Sequence, residues 1–142
     1  MLKGFVSILL FCLCAPAIAS DYVTHQFAPG DFVVADSAAQ KMATIWVDSK
    51  ANPGIRMAAE SLQQDVLRVT GLKPRLTSKT DDLSGHVIIV GERGQAALVD
   101  KLIASNQLTV QAKARQWEGY QLDTVASPLP GVEQAWVISG ND

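Results

Sequence analysis

Three acidic side chains stand where α/β proteins commonly mount acid–base chemistry. Asp48 follows the apolar run Thr44-Ile45-Trp46-Val47, Glu92 follows Val87-Ile88-Ile89-Val90-Gly91, and Asp142 comes just after Trp136-Val137-Ile138-Ser139. If those runs are parallel strands of one sheet, the three carboxylates converge at its C-terminal end, the usual site of α/β folds. Two such carboxylates, one a general acid and the other a base or nucleophile, are the machinery of glycoside hydrolysis. Their plainer reading is as solvated loop acids, like Asp81 and Asp82 in their polar stretch. The two histidines, His25 and His86, have no second ligand at metal spacing, so no metal site or cofactor is expected. A Ser-His-Asp triad assembles in space and escapes spacing arguments, but the chain has no Gly-x-Ser-x-Gly elbow. Gly91-Glu92-Arg93-Gly94 can cradle a phosphate at a helix start. It lacks the third glycine of a dinucleotide fingerprint and the Lys-Ser/Thr of a P-loop, so a tight strand-to-helix turn is its simpler reading. Trp46, Trp117 and Trp136 lie in strand-like runs, where they can pack in a sheet or stack on sugar rings. Trp46 alternates with Ile45 and Val47, so it faces the other side of its sheet and is expected to meet a helix or another domain.

The elements that position these residues are well punctuated. After residues 44–47 comes a turn cluster, then a helix with Asn52 as N-cap, Pro53 at the first helical position and Gly71 as the left-handed stop. Ile55, Ala58, Ala59, Leu62, Val66 and Val69 form its expected apolar stripe. Earlier, residues 31–35 read as a short strand. Later, residues 73–77 read as a weak strand with Pro74 at its start. Residues 86–90 are a continuous apolar run between glycines, suited to a central strand covered on both faces. A second helix over residues 95–105 turns Ala96, Val99, Leu102 and Ile103 inward, with Asn106 as its stop and one more helical turn over residues 110–115. Residues 117–125 and 134–139 read as a hairpin across Ser127-Pro128-Leu129-Pro130-Gly131. The expectation is an α/β fold: a mixed sheet of about five to six strands with two main helices packed on it.

Residues 1–19 combine a basic Lys3, an apolar run of about nine residues and the small-residue motif Ala17-Ile18-Ala19, as a secretory signal peptide does. Cleavage is expected between Ala19 and Ser20, leaving an N-terminal leader over residues 20–30 and one domain over residues 31–142. The apolar run is too short for a membrane span of about 20 residues. Phe11 and Leu13 precede Cys12 and Cys14, which is not a lipobox, so no stable membrane anchor is expected after cleavage. Both cysteines leave with the signal, and the exported chain has no disulfide. Loss of Lys3 takes the formal charge from −2 to −3. That mild acidity, with both signs interspersed, argues against nucleic acid or an anionic membrane as partner. Export to the periplasm or beyond the cell is the expected location. Ser139-Gly140-Asn141-Asp142 reads as a strand exit followed by helix-starting residues, so a third helix beyond it is expected and the domain is read as incomplete at that end.

Several strings together carry a resemblance. Ile45-Trp46-Val47-Asp48 leads to Pro53-Gly54-Ile55-Arg56-Met57-Ala58-Ala59-Glu60-Ser61-Leu62-Gln63-Gln64-Asp65, then Val69-Thr70-Gly71-Leu72-Lys73-Pro74. Val87-Ile88-Ile89-Val90-Gly91, Leu98-Val99-Asp100-Lys101-Leu102-Ile103, Trp117-Glu118, Pro128-Leu129-Pro130-Gly131-Val132 and Ala135-Trp136-Val137-Ile138-Ser139-Gly140-Asn141-Asp142 follow. In this order they resemble the N-terminal region of glycoside hydrolase family 115, the xylan α-1,2-glucuronidases, from about Phe32 to Asp142. The resemblance implies a non-catalytic accessory domain of an exported enzyme that removes glucuronic acid side groups from xylan. Its partner would be the (β/α)₈ catalytic barrel of the same protein, through which xylan-derived oligosaccharide is bound. The barrel holds the catalytic carboxylates, so no catalytic residue is assigned here and this chain alone is expected to be inactive. Asn141 and Asp142 match a turn that points toward the barrel, and with Trp46 they are the candidates for substrate margin or domain interface. The alternative is an independent carbohydrate-binding or structural module of the periplasm or cell surface.

Overall fold

The computed structural model describes residues 24 and 26–141. The expected signal segment and its Ala19/Ser20 junction, His25 and Asp142 lie outside the described residues. Two layers of helix enclose a mixed sheet. Its strands are β3 (Thr44–Val47), β4 (Leu76–Thr77), β5 (Gly85–Glu92), β6 (Tyr120–Ala126) and β7 (Val132–Gly140), in the order β4-β3-β5-β7-β6. β3, β4, β5 and β7 run parallel, and β6 is the antiparallel edge. A small separate ladder joins β1 (Ala35–Asp36) to β2 (Lys41–Met42). Among the described residues no helix is long and apolar enough to cross a membrane.

The continuous apolar run of β5 becomes the centre of the sheet, and its alternate residues feed two cores. Val87 and Ile89 join Trp46, Ala135, Val137 and Val125 on one face, under helix α2 (Ala97–Ala104) with its Leu98, Val99 and Leu102. Ile88 and Val90 join Ile45 and Val47 on the other, under helix α1 (Pro53–Thr70) with its Ile55, Ala59 and Leu62. Ile45, Val87, Ile88 and Ile89 are completely buried. Each such side chain contributes on the order of 1.5–3 kcal/mol through burial, so a strand lined on both faces anchors the domain.

The ends of α1 follow its sequence. Asn52 accepts from Gly54 N–H at 2.9 Å, Pro53 opens the helix, and Gly71 closes it at φ 75°. The stripe is narrower than its pattern suggests: Ala59 and Val66 are buried, whereas Ala58 is exposed and Val69 is 77% exposed. The inward positions step from Ile55 through Ala59 and Leu62 to Val66, which leaves Val69 on the outer side while Thr70 turns its hydroxyl onto the Val66 carbonyl.

Several expected elements are shorter than their sequence pattern, among them the strand expected over residues 73–77, of which only Leu76–Thr77 pairs. Of the strand expected over residues 31–35, only Ala35 is paired. Phe32 and Val34 pack onto the α1 face of the sheet instead, Val34 accepting from Ala43 N–H at 2.9 Å. α2 spans only Ala97–Ala104, with Leu98 taking the buried place expected of Ile103, which is half-buried. The helical turn expected over residues 110–115 is a single 3₁₀ turn, Lys113–Arg115. The expected hairpin is present as β6 and β7, with β6 beginning at Tyr120 because residues 116–119 form a tight turn.

Candidate functional site

At the C-terminal end of the sheet, β3 leads by way of α1 to β4 on one side, whereas β5 lies on the other. Asp48 and Glu92 therefore close neighbouring strands at the topological switch point, as their positions in the chain suggest. The role of Asp48 is structural. Asp48 accepts from Lys50 N–H at 2.9 Å and from Ala97 N–H at 3.1 Å, the first residue of α2. These two backbone donors hold its pKa below the usual carboxylate value of 3.8. Ala96 precedes α2 and has no capping side chain, so Asp48 supplies from another strand the acceptor that this helix start lacks. A carboxylate kept ionised in this way is a cap, and a poor general acid. Glu92 is half-buried and its carboxylate has no hydrogen-bond or ion-pair partner among the described residues.

The same end excludes the phosphate reading of Gly91-Glu92-Arg93-Gly94. Gly94 N–H is taken by Asp100 at 2.7 Å and Ala97 N–H by Asp48, so two carboxylates already occupy the start of α2. The glycines serve the turn itself. A Cβ on Gly91 would stand 2.3 Å from the Ala96 Cβ, and Gly94 adopts φ 82°. The hydroxyl of Ser139 is buried but accepts from Arg93 at 3.1 Å, not from a histidine. Among the described residues no three His, Cys, Asp or Glu side chains converge on a metal-sized point.

Arg93 is the organiser of this end, and the sequence pattern gave it no role beyond the turn. Its guanidinium donates to the Ser139 carbonyl and hydroxyl, the Gly119 carbonyl at 3.1 Å and the Ala114 carbonyl. Every one of those acceptors is neutral, and partial burial lowers its pKa from the ordinary arginine value. Asn141 completes the frame: its N–H donates to the Gly119 carbonyl at 2.8 Å and its Nδ2 to the Gln116 carbonyl at 3.3 Å. Gly119 must be a glycine, since a Cβ there would lie 2.7 Å from the Ala114 and Gln116 carbonyl oxygens. Arg93 and Asn141 thus lock the turn of residues 116–119, in which Glu118 takes φ 54°.

This turn presents Trp117 between exposed Gln116 and Glu118, and β6 continues with exposed apolar side chains. Trp117 is 78% exposed, Tyr120 73% and Leu122 45%. Tyr120 and Leu122 alternate with buried Gln121 and half-buried Asp123 along β6, so they share the face of the sheet that α1 covers only over β3, β4 and β5. On that face Trp136 and Ile138 of β7 are half-buried, the former near Phe32 at 6.1 Å between ring centroids. The three tryptophans, alike in their sequence setting, part company in the structure. Trp46, expected against a helix or another domain, lies 2% exposed beneath α2 with its indole N–H unpartnered. Trp117 is the one that reaches solvent. Nothing in its own run distinguishes it; the clue was the Glu118-Gly119 pair after it, which breaks the strand.

The opposite end of the sheet carries His86, at the start of β5. Its ring stacks on Phe32 at 5.1 Å, its Nδ1 faces Val33 N–H at 2.9 Å, and its Nε2 lies 4.0 Å from exposed Glu133. It borders an open cavity of about 840 Å³ shared with Lys41, Asp36 and Gln134. His86 is therefore a tether for the N-terminal segment, remote from Asp48, Glu92 and Arg93. No protein-family model matches the chain, and no curated protein is significantly similar to it.

Proposed function

We propose that this chain is a non-catalytic accessory domain of an exported α-glucuronidase-like glycoside hydrolase, packing against the catalytic barrel that acts on glucuronoxylan side groups. The observation that supports this reading is the exposure of three large apolar side chains close together in the chain, Trp117 on its turn and Tyr120 and Leu122 on β6. Exposed apolar surface held on a locked turn is characteristic of an interface. Arg93 and Asn141 give the turn its rigidity without contributing chemistry of their own. The substrate and the enzyme family rest on the sequence resemblance. Export rests on the signal-like segment of residues 1–19.

The decisive experiment pairs the reading frame beyond Asp142 with the purified domain. Barrel-coding sequence in frame, association of the two pieces, and loss of association in Trp117→Ala and Leu122→Ser variants are expected. An immediate stop codon with no barrel beyond it would sink the proposal, and so would release of glucuronic acid from xylan by this chain alone. The second reading, an independent carbohydrate-binding module, is favoured by the same exposed Trp117 and Tyr120, since flat aromatic faces stack on sugar rings. Calorimetric titration with glucuronoxylan fragments distinguishes it: heat abolished by Trp117→Ala supports the module, and no heat rejects it.

A further inference from the structure

The ladder between β6 and β7 has a fixed phase. Asn141 N–H donates to Gly119 and Ser127 N–H to Glu133, while Gln121 faces Ser139 and Asp123 faces Val137. The odd-numbered residues of β6 therefore spend their backbone groups on β7. The N–H and C=O groups of Tyr120, Leu122, Thr124 and Ala126 point away from the sheet, and among the described residues none of them has a hydrogen-bond partner. β6 is an open edge without proline or lysine along Tyr120–Ala126; the segment of residues 109–115 lies against the strand at the Gln121 side chain but takes none of its outward backbone groups.

It carries one guard, and that guard is selective. Asp123 is the middle residue of this seven-residue strand. An antiparallel second copy paired along the whole of β6 would set Asp123 opposite its own twin. Because Asp123 directs its backbone to β7, this would be a non-hydrogen-bonded pair, with α-carbons about 4.5 Å apart and side chains at their closest. Like charges so placed are destabilising. The Asp123 carboxylate accepts from Gln121 Nε2 at 2.6 Å, and no described lysine or arginine side chain pairs with it. A foreign strand with a cation at that position meets the opposite situation.

We propose that the β6 edge takes up an extended polypeptide segment by strand addition, selecting one with a lysine or arginine opposite Asp123 and apolar side chains on the Tyr120–Leu122 face. The outward amides and carbonyls supply affinity, and the alternation of side chains supplies selectivity. Asp123 disfavours full-length antiparallel pairing with a second copy and favours a basic strand through one charge. This deepens the docking reading above by naming the chemistry of what docks. Its test uses no barrel, so its failure leaves packing through Trp117 and Leu122 untouched.

The probe is a short synthetic peptide of alternating Val and Thr with one central Lys, compared with a twin carrying Glu there. Added to the intact chain, the Lys peptide is expected to shift the amide resonances of Tyr120, Leu122, Thr124 and Ala126 and slow their hydrogen exchange. The Glu twin is expected to bind at least about tenfold more weakly at low salt, with the gap narrowing as salt screens the pair. Asp123→Lys should reverse the preference. Thr124→Pro removes an outward donor at an edge position that tolerates proline, and should abolish binding of both peptides; its melting curve reports whether it is folded. Sedimentation should find the wild type monomeric and Asp123→Asn self-associating. Equal binding of the two peptides, no perturbation of β6 amides, or a wild-type dimer lost in Thr124→Pro would each overturn the proposal. The Asp123→Lys comparison decides the matter even if the proline variant unfolds.

Discussion

β5 and β6 belong to one sheet and lie on either side of β7, yet they are built to opposite rules. β5 reads as a continuous apolar run, pairs on both edges and is buried on both faces. β6 alternates, pairs on one edge, and turns Tyr120, Leu122 and Thr124 to solvent. In β5 the side chains from Val87 to Val90 are all constrained by packing. In β6 only the odd positions are, and the even ones are free to serve something outside the domain. Stability and recognition are thus separated by a single strand, and the boundary runs along β7, whose Val137 is buried and whose Trp136 and Ile138 are half-buried.

Substitutions along this boundary sharpen or break the contrast. The largest effect is expected for Ile88→Ala, which empties a fully buried position in the central strand and should cost about 2–5 kcal/mol in urea unfolding. A loss below about 1 kcal/mol would mean that β5 is not the anchor. Gly91→Ala comes next: its new methyl group meets Ala96 and forces α2 away from the strand end, for about 1–3 kcal/mol. Asp48→Ala removes the acceptor at the start of α2 and should cost about 0.5–2 kcal/mol at neutral pH. Because the folded pKa of Asp48 is depressed, its contribution is fully present above the unfolded value and is lost as pH falls through the folded one. The wild-type and variant stability curves should therefore converge on acidification below about pH 4. The smallest effect on folding is expected for Leu122→Ser, within about 0.5 kcal/mol, although the same change should weaken docking. A large destabilisation there would erase the distinction between the two strands.

Much of the fold is legible in the residues, for reasons the strands make plain. β5 declares itself because burial on both faces demands an unbroken apolar run, and α1 because Asn52, Pro53 and Gly71 are chemical punctuation. The short ladder of β1 and β2 was hidden, since its few residues carry no periodicity and its neighbours Phe32 and Val34 pack as side chains. The site was legible only in position. Asp48 and Glu92 do close adjacent strands, but sequence cannot tell a catalytic carboxylate from one that caps a helix forty-nine residues away. Arg93 and Asn141 were unreadable as a frame, because their acceptors are backbone carbonyls and any sequence supplies those. The exposure of Trp117 likewise depends on a turn closed by contacts from the residues just after β5 and just after β7.

The placement of β7 also governs when the domain can form. It is the last described strand in the chain, yet it sits between β5 and β6 and pairs with β5 along its whole length, from Gly85 with Val132 to Glu92 with Gly140. A chain emerging N-terminus first can build β3, α1, β4 and β5 early, but the most apolar strand then waits with one edge unpaired. The hairpin of β6 and β7 is a local pairing, and it is the unit that seals that edge. Both pairings of β5, with β3 and with β7, join strands far apart in the chain, so the centre of the sheet is built from non-local contacts. Until the hairpin docks, β5 is the stretch that needs protection from other chains.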